Sequence, residues 1–219
     1  MAYDASYAKY MDHTVLKVDA GKAVLKKFCD EAKQYKFASV CVNPCNVKFV
    51  SNELAGSGVK TAAVVGFPLG ANTTFIKAAE AKEAIENGAD EIDMVINVAA
   101  LKDGELDYVL ADMKAVVDVS HPKAHVKMIL ETSILTDDEI TTASRLAVEA
   151  GADFVKTSSG FAGPATVEAV RLMKAAVGDK CQIKASTGIN NRAICDMFLA
   201  EGATRFGTSK GIKIVEDIE

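Results

Sequence analysis

Gly151-Ala-Asp-Phe-Val-Lys-Thr-Ser-Ser-Gly160 holds a helix end, a strand and the loop after it within one short stretch. Gly151 suits the left-handed residue that closes a helix. An apolar run of strand character follows and carries Lys156, and three hydroxyl side chains and Gly160 come next. A desolvated ammonium without a partner costs several kcal/mol or gives up its proton. Lys156, set beside Val155 in such a strand, therefore reads as a neutral amine nucleophile.

Working outward, the same junction recurs. Asn-Gly-Ala-Asp-Glu-Ile-Asp at 87–93 and Glu-Gly-Ala-Thr-Arg-Phe-Gly at 201–207 repeat the pattern at other helix-to-strand boundaries, with Gly88 and Gly202 in the place of Gly151. Apolar runs predict strands over Tyr10–Leu16, Ala38–Asn43, Lys60–Phe67, Glu91–Asn97, Val126–Thr132, Phe154–Ser158, Gln182–Ser186 and Thr204–Gly207. Helix-period segments lie between them, among them Thr74–Asn87, Leu106–Val119, Thr136–Ala150, Pro164–Val177 and Arg192–Glu201. Eight βα units favour an α/β fold of the (β/α)8 TIM barrel type. An open doubly wound sheet also fits, because strand order is not written in the chain. No linker or shift of composition divides it, so residues 1–219 are expected to form a single domain.

Composition narrows the functional classes. A net charge of -5 argues against nucleic acid or an anionic membrane as partner, so any anion site must be local. No apolar run approaches the ~20 residues of a membrane span, and the acidic opening Met1–Ser6 is not a secretory signal. Five cysteines in a chain of 219 residues read as reduced thiols in a cytoplasmic protein. Cys41 and Cys45 lack a second ligand pair, so no metal is expected. The three histidines suggest neither metal nor triad chemistry, and His13 reads as packing beside Asp12. Gly66-Phe67-Pro68-Leu69-Gly70 is a turn signal that shapes the pocket mouth.

In a barrel, alternate strand residues point inward and active sites sit at the strand C-terminal ends. That parity collects Asp12 with Thr14, Ser39 with Cys41 and Asn43, and Asp93 with Val95 and Asn97. It also collects Lys127 with Ile129 and Glu131, Lys156 with Ser158, and Lys184 with Ser186. One strand lysine can simply snorkel to water at the rim; three on successive strands, facing an aspartate, make a site. An ordinary lysine, with a pKa of ~10.4, is neutral only about once in 2,500 at pH 7. Two ammonium groups ~6 Å apart repel by roughly 3 kcal/mol at an effective dielectric of 20, and burial adds to the effect. One lysine of the set can thus be neutral enough to attack a carbonyl. Spacing alone does not decide between Lys156 and Lys184 as attacker.

A second constellation follows strands seven and eight. Thr187-Gly188 and Gly207-Thr208-Ser209-Lys210-Gly211 are small, flexible and followed by helix starts, the usual phosphate cradle of such barrels. Taken singly, either loop reads equally well as a tight turn.

Together these segments resemble the deoxyribose-phosphate aldolases, class I aldolases of the (β/α)8 barrel fold. The resemblance spans nearly the whole chain and rests on Phe-Val-Lys-Thr-Ser-Ser-Gly at 154–160, Glu-Ile-Asp-Met-Val-Ile-Asn at 91–97, Val-Lys-Met-Ile-Leu-Glu-Thr at 126–132 and Ile-Lys-Ala-Ser at 183–186. It implies a Schiff base on Lys156, a pKa-tuning role for Lys184 and a proton relay through Asp93. Asp12, Thr14, Cys41 and Lys127 would lie near the substrate, with Thr157 and Gly160 at the pocket lip. Thr187, Gly188, Gly207, Ser209 and Lys210 would face the phosphate. The implied reaction cleaves 2-deoxy-D-ribose 5-phosphate reversibly to D-glyceraldehyde 3-phosphate and acetaldehyde, in deoxyribose phosphate catabolism. No cofactor is needed, the partners are phosphosugar and aldehyde substrates, and a homo-oligomer, dimer or tetramer, is expected.

The chain departs from the family pattern at several positions. Thr-Ser-Thr-Gly reads Thr-Ser-Ser-Gly, Ser-Gly-Gly reads Ser186-Thr187-Gly188, a usual arginine is Asn190, and the second serine of Gly-Thr-Ser-Ser is Lys210. Lys210 is expected to offset the missing arginine charge. The chain ends at Glu219 without the tyrosine-bearing tail of some members, so the expectation is that this contribution is absent or that the phosphate pocket is more open. Two other readings fit the residues: a different phosphosugar barrel enzyme, such as an isomerase or another Schiff-base aldolase, and a phosphosugar-binding barrel without turnover. The set Asp93, Lys156 and Lys184 speaks against the last.

Overall fold

A computed structural model of the chain describes residues 4–217; residues 1–3 of the Met1–Ser6 opening and the Glu219 terminus, on which two of the expectations rest, lie outside the described residues. Eight parallel strands close into a barrel in sequential order, and the open-sheet alternative falls away. They are β1 (Met11–Val15), β2 (Ser39–Val42), β3 (Lys60–Val65), β4 (Glu91–Val95), β5 (His125–Ile129), β6 (Phe154–Lys156), β7 (Gln182–Ser186) and β8 (Arg205–Thr208). The helices are α1 (Ala5–Ala8), α2 (Lys22–Tyr35), α3 (Val47–Leu54), α4 (Thr74–Glu86), α5 (Val98–Lys102), α6 (Leu106–Ser120), α7 (Asp137–Ala150), α8 (Val167–Val177), α9 (Arg192–Ala200) and α10 (Gly211–Glu216). No helix among the described residues is long and apolar enough to cross a membrane.

Local chemistry explains the boundaries. Thr136 and Glu139 form a reciprocal capping box at the start of α7, and three acidic residues in its first turn suit the positive end of the helix dipole. Gly151 ends that helix at φ +85°, and Gly88 and Gly202 take the same left-handed conformation, as their position before strands predicts. The helix expected from Pro164 begins at Val167 instead. Thr166 caps it by accepting the Ala169 N–H, which leaves 159–165 as a loop over the barrel mouth.

Strand alternation divides the interior in two. Val40, Val42, Ala63, Val65, Ile92, Met94, Val126 and Met128 face the helices in the main hydrophobic core. Their strand neighbours Ser39, Cys41, Ala62, Val64, Glu91, Asp93 and Lys127 are buried outside it, on the lumen side. Lys156 lies level with Lys184 on β7, and Asp93 level with Lys127 on β5. The expected parity does not hold past the strand ends: β5 stops at Ile129, where Glu131 takes a left-handed backbone (φ 63°) that removes it from the face of Lys127, and β4 stops at Val95, where the Asn97 side chain accepts from the Ala100 N–H and caps α5. His13 packs as expected. It points outward, stacks on Phe28 at 4.2 Å and meets Glu31 at 2.8 Å.

Candidate active site

The lumen holds a layered charge network. Asp93, fully buried on β4, accepts from Lys127 at 2.7 Å on one oxygen and from Lys156 and Lys184 at 2.7 and 2.8 Å on the other. Lys184 meets Asp12 at 2.5 Å and Lys127 meets Glu91 at 2.6 Å. Arg205 bridges Asp12 and Glu91 at 2.6 and 3.2 Å, and its guanidinium lies over the Phe154 ring. Ser39 donates to Asp12 at 2.7 Å. Sequence reading left Glu91 and Arg205 out, though Glu91 stands two residues before Asp93, a lumen position already marked, and Arg205 two before Gly207 of the second constellation.

Counting charge in this network gives the lysine its chemistry. Three carboxylates (Asp12, Glu91, Asp93) face four basic groups (Lys127, Lys156, Lys184, Arg205). With every group ionised, one cation is in excess inside a dry barrel, where uncompensated charge is expensive. Burial opposes the charge on Lys127 and Lys184, but the neighbouring carboxylates outweigh it and hold both ammoniums above the ordinary lysine range. For Lys156 burial wins: desolvation, helped by the Lys184 ammonium and opposed by Asp93, brings its pKa below the ordinary value. Asp93 has the reverse balance. Burial would raise it, but Lys127, Lys156 and Lys184 hold it well below the carboxylate range. The Cys41 thiol is pushed up to about 11, by burial first and then by Asp93, so it stays protonated.

Of the three lysines around Asp93, Lys156 reaches the cavity at the strand ends, and Lys127 and Lys184 do not line it. Lys156 lines a space of about 210 Å³ with Ser186, Thr14 and the segments 187–190 and 207–210. Thr14, Thr187, Gly188, Gly207, Ser209 and Lys210 thus stand with Lys156 around one cavity. Asp12, Cys41 and Lys127 lie in the buried layer. Thr157 is buried too, and its hydroxyl accepts from the Ser186 N–H at 3.1 Å and donates to the Ser186 carbonyl at 3.3 Å, so it clamps β7. Gly160, at φ +101°, borders a neighbouring apolar recess with Phe67, Phe161 and Leu16. The turn after β3 does reach the mouth through Phe67, which meets Phe161 edge-on at 5.5 Å. Glu131 reaches the loop after β6 and accepts from the Ser159 N–H and hydroxyl.

The DeoC/LacD family of aldolases matches residues 6–214. The chain belongs to this family. It is 56% identical to the deoxyribose-phosphate aldolase of Geobacillus sp. (strain WCH70) over 210 residues, which is 95% of this chain and 94% of that one. It is 53% identical over 213 residues to deoxyribose-phosphate aldolase 2 of Bacillus licheniformis, covering 97% of this chain and 96% of that one. Among solved structures, the tetrameric deoxyribose phosphate aldolase of Aeropyrum pernix superposes with a TM-score of 0.90 at 28% identity, over 97% of this chain and 91% of that one.

Within this aldolase, Thr187, Asn190 and Lys210 have distinct local surroundings. Thr187 sits at φ +71°, the left-handed region in which a β-branched residue is strained and glycine is not. Asn190 and Lys210 are bonded to each other: the Lys210 ammonium donates to the Asn190 side-chain oxygen at 2.8 Å. A cation from the loop after β8 is therefore held against the loop after β7.

Proposed function

We propose that the protein reversibly cleaves 2-deoxy-D-ribose 5-phosphate to D-glyceraldehyde 3-phosphate and acetaldehyde through a Schiff base on Lys156. The observation that carries this reading is the charge count in the lumen: the one cation in excess belongs to the one lysine of the buried network that meets the cavity. The neutral Lys156 amine adds to C1 of the open-chain sugar, and loss of water leaves an iminium. The C3 hydroxyl gives up its proton, the C2–C3 bond breaks, and its electron pair moves into the iminium to form an enamine. C3 leaves as the aldehyde carbon of glyceraldehyde 3-phosphate. Protonation of the enamine at C2 and addition of water release acetaldehyde and restore the amine.

Asp93 and Lys184 are suited to carry these protons, since Lys156 and Lys184 share one oxygen of Asp93. Lys127, paired with Glu91 and Asp93, fixes that carboxylate in place. The phosphate fits the far end of the cavity, against Thr187, Gly188, Gly207, Ser209 and Lys210, where backbone N–H groups and one ammonium can meet it. The whole chain, 1–219, would act as one barrel domain in a dimer or tetramer. Five unpaired cysteines support a reducing, cytoplasmic setting.

Incubating the protein with deoxyribose 5-phosphate and measuring acetaldehyde and glyceraldehyde 3-phosphate tests the reading. One equivalent of each per sugar consumed is expected. An adduct with acetaldehyde but no consumption of this sugar would overturn the substrate and leave a different Schiff-base aldolase.

A further inference from the structure

Ser186 ends β7 two residues beyond Lys184 and borders the Lys156 cavity. Only 5% of it is exposed, and its hydroxyl has no protein partner among the described residues. Buried hydroxyls are ordinarily hydrogen-bonded, because water lost on folding must be replaced. The other buried hydroxyl on the cavity wall obeys that rule: Thr208 donates to the Ile189 carbonyl at 2.8 Å. Ser158 carries a second unpartnered hydroxyl but does not border the cavity.

Two further features hold the Ser186 hydroxyl where it is. Thr157, just past the end of β6, grips the serine backbone through both its N–H and its carbonyl, which fixes the position from which the side chain projects. Gly207, its partner in register on β8, leaves the space: a Cβ there would stand 2.4 Å from Ser186 Oγ and 3.2 Å from Lys184 Cε. The hydroxyl therefore occupies a prepared position between the lysine layer and the loops 187–190 and 207–210.

We propose that Ser186 Oγ hydrogen-bonds the C4 hydroxyl of the sugar, and so selects acceptor aldehydes hydroxylated next to the carbonyl. The assignment rests on the aldolase reading above. With C1 bound to Lys156 and the phosphate at the two loops, the middle carbons pass Ser186. The C3 hydroxyl must exchange its proton with the Asp93 and Lys184 layer, which leaves the hydroxyl one carbon nearer the phosphate for the serine one strand step nearer the loops. In the synthetic direction that group is the hydroxyl of glyceraldehyde 3-phosphate. A site built to bond a hydroxyl discriminates against the analogue lacking it, because its own polar group is then left unpaired.

The test compares glyceraldehyde 3-phosphate with 3-oxopropyl phosphate, the same acceptor without the hydroxyl, using acetaldehyde as donor. The wild-type protein is expected to prefer the hydroxylated acceptor by roughly tenfold in kcat/KM, and Ser186→Ala to abolish that preference. A merely structural role lowers kcat/KM for both acceptors by the same factor and keeps the preference, which overturns the assignment. A wild-type enzyme without any preference overturns it too. Borohydride trapping of acetaldehyde on Lys156 is read in parallel. Its absence in the wild-type protein overturns the aldolase reading itself, whereas its presence with an unchanged preference overturns only the role of Ser186.

Discussion

Replacing Lys184 with methionine should convert Lys156 from a nucleophile into a structural cation. Lys156 and Lys184 donate to the same oxygen of Asp93, at 2.7 Å and 2.8 Å, so their nitrogens lie within about 5.5 Å of each other. Two ammoniums at that distance repel by roughly 3 kcal/mol at an effective dielectric of 20. Removing that repulsion lowers the share of neutral Lys156 at a given pH by roughly a hundredfold. The charge count points the same way: without Lys184, three carboxylates face Lys127 and Arg205, and Lys156 becomes the third cation the network needs. The sign follows from the direction of the shift. Burial lowers the Lys156 pKa in the intact protein, so imine formation persists below the ordinary lysine range and falls as pH drops through the lowered value. In Lys184→Met that fall moves to higher pH. The assay is the rate of borohydride-trapped acetaldehyde adduct across pH, which reports imine formation without the later proton transfers. We expect trapping near pH 7 to drop about a hundredfold and to recover in alkali. Superimposable pH profiles, or a loss that alkali does not restore in a variant that still unfolds cooperatively, would refute the reasoning.

Two further substitutions probe the periphery of the site. Lys210→Ala removes the only cation besides Lys156 that lines the cavity among the described residues, and should raise KM for deoxyribose 5-phosphate severalfold with little change in kcat; an unchanged KM would separate Lys210 from phosphate binding. Lys77 and Asp112 form a fully buried pair at 2.6 Å between α4 and α6, with Thr74 donating to the same carboxylate. Lys77→Met should destabilise the protein by about 3–5 kcal/mol, and adding Asp112→Leu should recover much of that loss, as read by urea unfolding. Equal stability of the single and double variants would contradict the pairing argument.

Much of the site could be read from the chain because strand parity is a rigid rule. Every inward position it named that lies inside a strand, from Asp12 on β1 to Ser186 on β7, faces the lumen, and the three lysines do converge on Asp93. Parity failed at Glu131, where the strand had already ended and one left-handed residue redirected the carboxylate toward Ser159. Glu91 and Arg205 were within its reach, but they stand at the strand starts, away from the end where catalytic groups gather. The choice of Lys156 over Lys184 lay outside it altogether. Spacing cannot tell which of two buried amines touches the cavity, or that Asp12 neutralises one of them and not the other. Thr157 shows a related limit, since its hydroxyl lies beside the nucleophile yet serves the backbone of β7.

The central claim is that Lys156 is the amine that forms the imine. Treating the intact protein with acetaldehyde and sodium borohydride, then mapping the modified peptide by mass spectrometry, tests it directly. The account predicts a single reduced two-carbon adduct on Lys156. An adduct on Lys184 or Lys127, or an unmodified protein that still consumes the substrate, would contradict it.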